Sequence, residues 1–325
     1  MKAQWNYASI ATVGPSIIAL ALFCILASGC GRKDESASTQ PSAPTAQIQP
    51  STPSLLRVSV DLASERSAFK THLLRHGPPP GDQPPYAPLD GDGAIYARYR
   101  SGELRLDAWL SKDPRDGKRH PAIVYLHGNF VFEPRHWVST QPYRDAGMIA
   151  MTPMMRGENG NSGDFEMFYS EVDDVIAAGN YLAALPYVDP KRVYLAGHSV
   201  GGTLVMLVAE MPSPFAAAAA FSGSPDLETF MSDENKAICP FDLSNPQECR
   251  LRSAFPFVSS LKCPLYLFDG SQEDWAIPRT KQFEAAAKAA GKSCQWQTVP
   301  GDHGTSKPRA IVASIPLLLA HQKAE

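Results

Sequence analysis

A chain of 325 residues that is 44% hydrophobic and 19% charged is long enough to bury a substantial core and too apolar to stay disordered. Thirty Lys and Arg against 33 Asp and Glu leave a formal charge of -3, which excludes the basic excess a nucleic-acid partner requires. Six cysteines, none in a CxxC or Cys/His cluster of zinc-ligand spacing, exclude a dense disulfide scaffold and argue against a structural metal.

The chain opens with an apolar run at 16–27, of the length of a secretory core and short of the ~20 residues that a membrane-spanning helix needs. The run ends in Ala27-Ser28-Gly29-Cys30, which resembles a bacterial lipoprotein signal. That resemblance implies a signal peptide over 1–29, lipidation of Cys30, and a protein anchored to a membrane by its N-terminal lipid, facing the periplasm or the cell exterior. A soluble secreted protein is the alternative. Ser, Thr, Pro, Gln and Ala dominate the next two dozen residues, a composition that cannot offset its ordering entropy, so 30–54 is expected to be a disordered tether and 55–325 the folded domain.

Alternation at 94–110 suggests an entering antiparallel hairpin. Buried-strand runs follow at 123–126, 148–151 and 193–196. Between the second and third, Ser170-Glu171-Val172-Asp173 looks like a capping box that opens a helix with apolar residues at 172, 175, 176, 182 and 185. The alanine-rich 215–221 is ambiguous by propensity, and its alternating context favours a strand. A strand at 264–268, a helix near 280–290 stopped by Gly291, a strand at 295–299 and an apolar helix at 309–319 complete the pattern. Strands alternating with helices imply an α/β fold: a mostly parallel central sheet with helices on both faces.

Gly197-His198-Ser199-Val200-Gly201-Gly202 lies between the strand at 193–196 and the apolar stretch at 203–211. A bare GxSxG arises by chance in roughly one chain of this length in ten, so the strand-turn-helix context carries the argument for a nucleophile elbow at Ser199. Gly197 and Gly201 keep β-carbons out of so tight a turn. A serine hydroxyl needs a base and an acid that orients the base. Asp274 follows the strand ending at Phe268, and His303 follows the last strand. Glu273 and Asp226 are rival acids. The tetrahedral intermediate needs two N–H donors: Val200 is expected to supply one and Asn129 the other, with Phe130 as second choice. His127 reads as a structural hydrogen-bonding residue.

These residues resemble the α/β-hydrolase fold, and within it the catalytic domain of the prolyl oligopeptidase family of serine peptidases. The resemblance runs from about Ala94 to the C-terminus. It rests on Tyr125-Leu126-His127-Gly128, on Arg156-Gly157 and the Gly-rich stretch to Gly163, on Asp173-Asp174, on 187–193 and on the elbow. It implies a serine hydrolase acting on a small ester or peptide substrate, with Ser199, His303 and Asp274 as the triad and no metal or organic cofactor. The alternative is a catalytically silent surface lipoprotein of the same fold that binds a ligand or a partner. Three departures stand out. About forty residues between Leu55 and Ala94 cannot build the family's β-propeller, His127 stands where some members place an oxyanion-binding Tyr, and the acid loop carries one extra residue before Asp274. A small cap is expected at 227–257. Because export permits disulfides, Cys239–Cys249 and Cys263–Cys294 are the expected pairs.

Overall fold

The computed structural model describes residues 61–89 and 91–323; the expected signal over 1–29, Cys30 and the expected tether over 30–54 lie outside the described residues. The strands are β1 (Ala94–Ser101), β2 (Leu104–Ser111), β3 (His120–Leu126), β4 (Ile149–Pro153), β5 (Val188–His198), β6 (Ala217–Phe221), β7 (Leu265–Gly270) and β8 (Cys294–Val299). They form one eight-stranded sheet in the order β1-β2-β4-β3-β5-β6-β7-β8. The first two strands are the expected hairpin: Ser101 pairs with Leu104 across a two-residue turn, and β2 runs antiparallel to β4. From β4 onward every pairing is parallel.

The helices are α1 (Leu62–Ser67), α2 (Pro134–Val138), α3 (Gln141–Asp145), α4 (Glu171–Ala183), α5 (Val200–Ala209), α6 (Leu227–Phe230), α7 (Asp233–Ile238), α8 (Pro246–Arg250), α9 (Ile277–Ala289) and α10 (Lys307–Leu319). One face of the sheet is covered by α4, α5 and α9 and the other by α2, α3 and α10. Val124 and Leu126 therefore join one core while Ile123 and Tyr125 join the other, which is why β3 reads as an unbroken apolar run. The same burial turns Ala217–Phe221 into a strand despite its weak intrinsic β preference, since all five residues are buried between α5 and α10 and tertiary context outweighs propensity. The capping box at α4 does not form. Ser170 already has helical backbone angles, φ -72° and ψ -9°, and its side chain makes no cap bond; its hydroxyl and N–H both donate to Glu166 Oε2, at 2.6 and 3.2 Å, whereas a capping residue stands outside the helical region.

Residues 227–257 hold the short helices α6, α7 and α8, and the segment around α1 clamps them from outside. Leu73 bridges to Phe241, Thr71 donates to Glu248 at 2.8 Å, and Arg250 pairs with Glu65 at 3.1 Å. Arg252, wholly buried, pairs with Glu248 and lies over the Phe241 ring. The expected disulfides are absent: Cys239, Cys249, Cys263 and Cys294 are all free thiols. Cys239 turns its Sγ to the Phe241 carbonyl and Cys249 turns its own to that of Leu243, each at 3.4 Å. Cys294 pairs in register with Leu265, two residues past Cys263, so the second pair is out of step.

Candidate active site

Strand β5 runs straight into α5 through Ser199, whose backbone sits at φ 58°, ψ -117°, a conformation that costs on the order of 1–3 kcal/mol and persists only where the surroundings enforce it. The enforcement is local. A β-carbon on Gly197 would lie 2.5 Å from the Gly201 carbonyl oxygen, and one on Gly201 would lie 2.6 Å from that of His127. The Ser199 N–H donates to the Phe221 carbonyl of neighbouring β6 at 2.9 Å. The turn thus carries the hydroxyl to the carboxyl edge of the sheet, where the loops after β7 and β8 also emerge.

His303, in the loop after β8, places Nε2 3.0 Å from Ser199 Oγ. Its Nδ1 lies 2.6 Å from Oε1 of Glu273. The expected acid, Asp274, is exposed to solvent, and the carboxylate brought to His303 is that of its neighbour. The reason is loop geometry. Ser271 and Gln272 donate backbone bonds to Val299 and Gly301 at 2.8 and 3.0 Å, and Glu273 N–H donates to Gly270 at 3.0 Å. These bonds zip the acid loop to the histidine loop and turn position 273 inward, where the longer glutamate spans the gap. Oε2 of Glu273 accepts from Ser222 Oγ at 2.6 Å and from the Gly270 N–H at 2.5 Å. Burial pulls this carboxyl upward, but the bonds from His303, Ser222 and Gly270 outweigh it and hold it below the usual range. An ionised Glu273 only accepts, so Nδ1 of His303 carries the proton and Nε2 offers its lone pair to the Ser199 hydroxyl. That arrangement can remove a proton from the serine as it attacks a carbonyl and return it to a leaving group. The other rival, Asp226, caps α6 through Thr229 N–H at 2.8 Å and pairs with Arg279. Asp302 caps its own turn through Gly304 and Thr305.

Val200 follows Ser199 directly, and Asn129 lines a cleft together with Ser199 and His303. Val200 is the first residue of α5 and has no acceptor within its helix. Asn129, at φ 70°, makes no hydrogen bond to any described residue. The Phe130 N–H likewise bonds to no described residue, and its ring lies in an aromatic cluster, the centroid 4.8 Å from that of Phe165 and 6.2 Å from that of Phe230. His127 is buried, bonded to Glu158 Oε2 at 3.0 Å and to the Gly128 carbonyl at 3.2 Å, and stacks on His136 at 5.0 Å. Burial would lower it, but Glu158 prevails and raises it.

Sequence reasoning had no signal for His198. Its Nε2 lies 2.7 Å from the His303 carbonyl oxygen, which can only accept. Burial, and then the nearby His303, lower His198 to about 4, so the ring is neutral with its proton on Nε2, and it holds the backbone of the histidine loop. The family-like motifs upstream form scaffold: Arg156 donates to both oxygens of buried Asp174 at 2.9 and 2.8 Å, and Ser101 donates to the same carboxylate at 2.6 Å.

Clefts open on two sides of Ser199 and His303. One, of about 200 Å³, is lined by Ser222, Ser224, Thr229, Phe230, Asn235 and Trp275; Trp275 stays 52% exposed there, its ring centroid 5.9 Å from that of His303. Residues from 227–257 thus wall this side. The other, of about 260 Å³, is lined by Gly128, Asn129, Arg135, His136, His198 and Lys307.

Residues 136–323 match the profile of the prolyl oligopeptidase family. Over 187 residues the chain is 23% identical to the Bacillus subtilis protein named uncharacterized peptidase YtmA, covering 54% of this chain and 71% of that one. Among solved structures, the acylaminoacyl peptidase of Pyrococcus horikoshii aligns with a TM-score of 0.58 and 21% identity, over 71% of this chain and 42% of that chain. Esterase 2 of Thermogutta terrifontis aligns with a TM-score of 0.57 and 19% identity, over 72% of this chain and 96% of that chain. The fold is that of α/β-hydrolase peptidases and esterases; the chain spans less than half of the archaeal peptidase and nearly all of the esterase.

Proposed function

Because the chain belongs to the prolyl oligopeptidase family and is a serine hydrolase, we propose that Ser199, His303 and Glu273 are its catalytic triad and that it cleaves short esters and peptide or amide bonds through an acyl-enzyme. The observation that carries this reading is the continuous relay of 3.0 Å from Ser199 Oγ to His303 Nε2 and 2.6 Å from His303 Nδ1 to Glu273 Oε1. Ser199 Oγ bonds to the carbonyl carbon as its proton passes to His303 Nε2. The bond to the leaving alcohol or amine then breaks, and that group departs with the same proton. Water, deprotonated by His303, attacks the acyl-enzyme and releases the acid and the serine hydroxyl. Ionised Glu273 stabilises the imidazolium formed in each half. The N–H groups of Val200 and Asn129 hold the developing oxyanion.

Substrate size follows from the clefts: spaces of about 200 and 260 Å³ on the two sides of the nucleophile suit small acyl and leaving groups. The export signal and lipid at Cys30 belong to this proposal on sequence grounds alone. The test compares matched p-nitrophenyl esters and peptidyl p-nitroanilides, with Ser199→Ala as control. Cleavage of either class that falls by roughly four to six orders of magnitude in kcat in the variant supports the reading. Activity indifferent to the substitution overturns it.

A further inference from the structure

The two clefts beside Ser199 differ in chemistry. The first carries the rings of Phe230 and Trp275 among neutral hydroxyl and amide groups, and the Phe130, Phe165 and Phe168 rings gather beside Val200. The second carries Arg135, His136 and Lys307, with no carboxylate in its lining. Lys307, the first residue of α10, is partly buried, and its ammonium makes no ion pair or hydrogen bond with any described residue. Burial and neighbouring Arg135 both lower its ammonium. Arg135 is partly offset by Glu133 at 2.8 Å. His136 accepts the Glu133 N–H on Nδ1 at 2.9 Å, which puts its proton on Nε2 and makes it a further donor. A half-buried cation without a partner, set beside a second cation, is unfavourable in the empty protein. An anion bound there removes the penalty.

We propose that the cleft lined by Asn129, Arg135, His136 and Lys307 is a carboxylate-binding subsite for the leaving group, so that the preferred substrates release an amino acid, hydroxy acid or similar small carboxylate. The inference rests on the proposed serine-hydrolase chemistry at Ser199. The aromatic side takes the acyl group, and the cationic side orients the departing group toward His303 Nε2, which protonates it. Specificity of this kind uses a charge already paid for in the fold and acts mainly on binding.

The test uses two butyrate esters with isosteric leaving groups, 3-hydroxybenzoate and 3-hydroxybenzamide. The carboxylate ester is expected to be preferred by about tenfold in kcat/KM, carried in KM and equivalent to about 1.4 kcal/mol. The ratio should fall to about one in Lys307→Met and be largely kept in Lys307→Arg. Equal rates in the wild type, or a preference unchanged in Lys307→Met, overturn the proposal, as does a preference that appears only when the carboxylate is moved to the acyl side, in an aryl monoadipate against an aryl hexanoate. Calorimetric binding of free 3-hydroxybenzoate to Ser199→Ala separates this inference from the catalytic one. Binding that weakens about tenfold when Lys307→Met is added supports the subsite even if neither ester is cleaved. Absence of binding, with Ser199-dependent hydrolysis intact, overturns the subsite alone.

Discussion

Glu273 and Glu210 are both buried, at 1% and 0% exposure, yet their surroundings drive them in opposite directions. Glu273 accepts from His303, Ser222 and Gly270 and is held low. Glu210, at the end of α5, has no partner among the described residues for either carboxylate oxygen, and burial alone drives it well above the usual range. Burial therefore does not make a carboxylate useful. The hydrogen bonds that stabilise its charged form do, and in this molecule they come from loops at the carboxyl edge of the sheet rather than from the end of a wholly buried helix.

The contrast can be broken by making the same substitution at both places. Glu273→Gln keeps the shape but removes the charge that orients His303 and stabilises its imidazolium, and kcat on a p-nitrophenyl ester should fall by about 1,000- to 10,000-fold. Asp274→Asn should leave kcat within about twofold, since an exposed side chain away from the relay changes little. A comparable loss in both variants would show that the adjacent carboxylates share the role. His198→Ala removes the donor to the His303 carbonyl; a displaced catalytic base predicts about a tenfold loss in kcat with KM nearly unchanged.

Glu210→Gln should do the reverse of Glu273→Gln: leave kcat alone and raise stability, by about 1–3 kcal/mol at neutral pH. The sign follows from linkage. The folded-state value lies above the unfolded 4.5, so the folded protein holds the proton more tightly, and wild-type stability declines as pH rises past about 4.5. The gain in Tm from Glu210→Gln should therefore be near zero at about pH 4 and grow toward neutrality, as differential scanning fluorimetry across that range would show. A gain independent of pH would mean that the carboxyl holds its proton no more tightly in the folded state than in the unfolded one.

Much of the frame was legible because its determinants are local and repetitive. The apolar runs, the Gly-flanked Ser199 and the His303 loop each carry their signal within a few residues. Glu273 and Asp274 are adjacent carboxylates in one loop, and the choice between them depends on backbone bonds to Val299 and Gly301, nearly thirty residues away. The same holds for Arg135 and Lys307, which share a cleft only because α2 and α10 cover the same face of the sheet. Of the cysteine pairs, Cys263–Cys294 failed on register, since the expectation counted strands without knowing which residue faced which, and Cys239–Cys249 failed because each thiol turns to a nearby backbone carbonyl. The Ser170 capping box failed because Ser170 already has helical backbone angles and directs its hydroxyl and N–H to Glu166, one turn back.

The most direct measurement is labelling with a fluorophosphonate ester, located by mass spectrometry and timed in the wild type, Glu273→Gln and Asp274→Asn. The account predicts one adduct, on the peptide containing Ser199, forming at least about a hundredfold more slowly in Glu273→Gln and at the wild-type rate in Asp274→Asn. Labelling at another residue, or equal slowing in both variants, would contradict it.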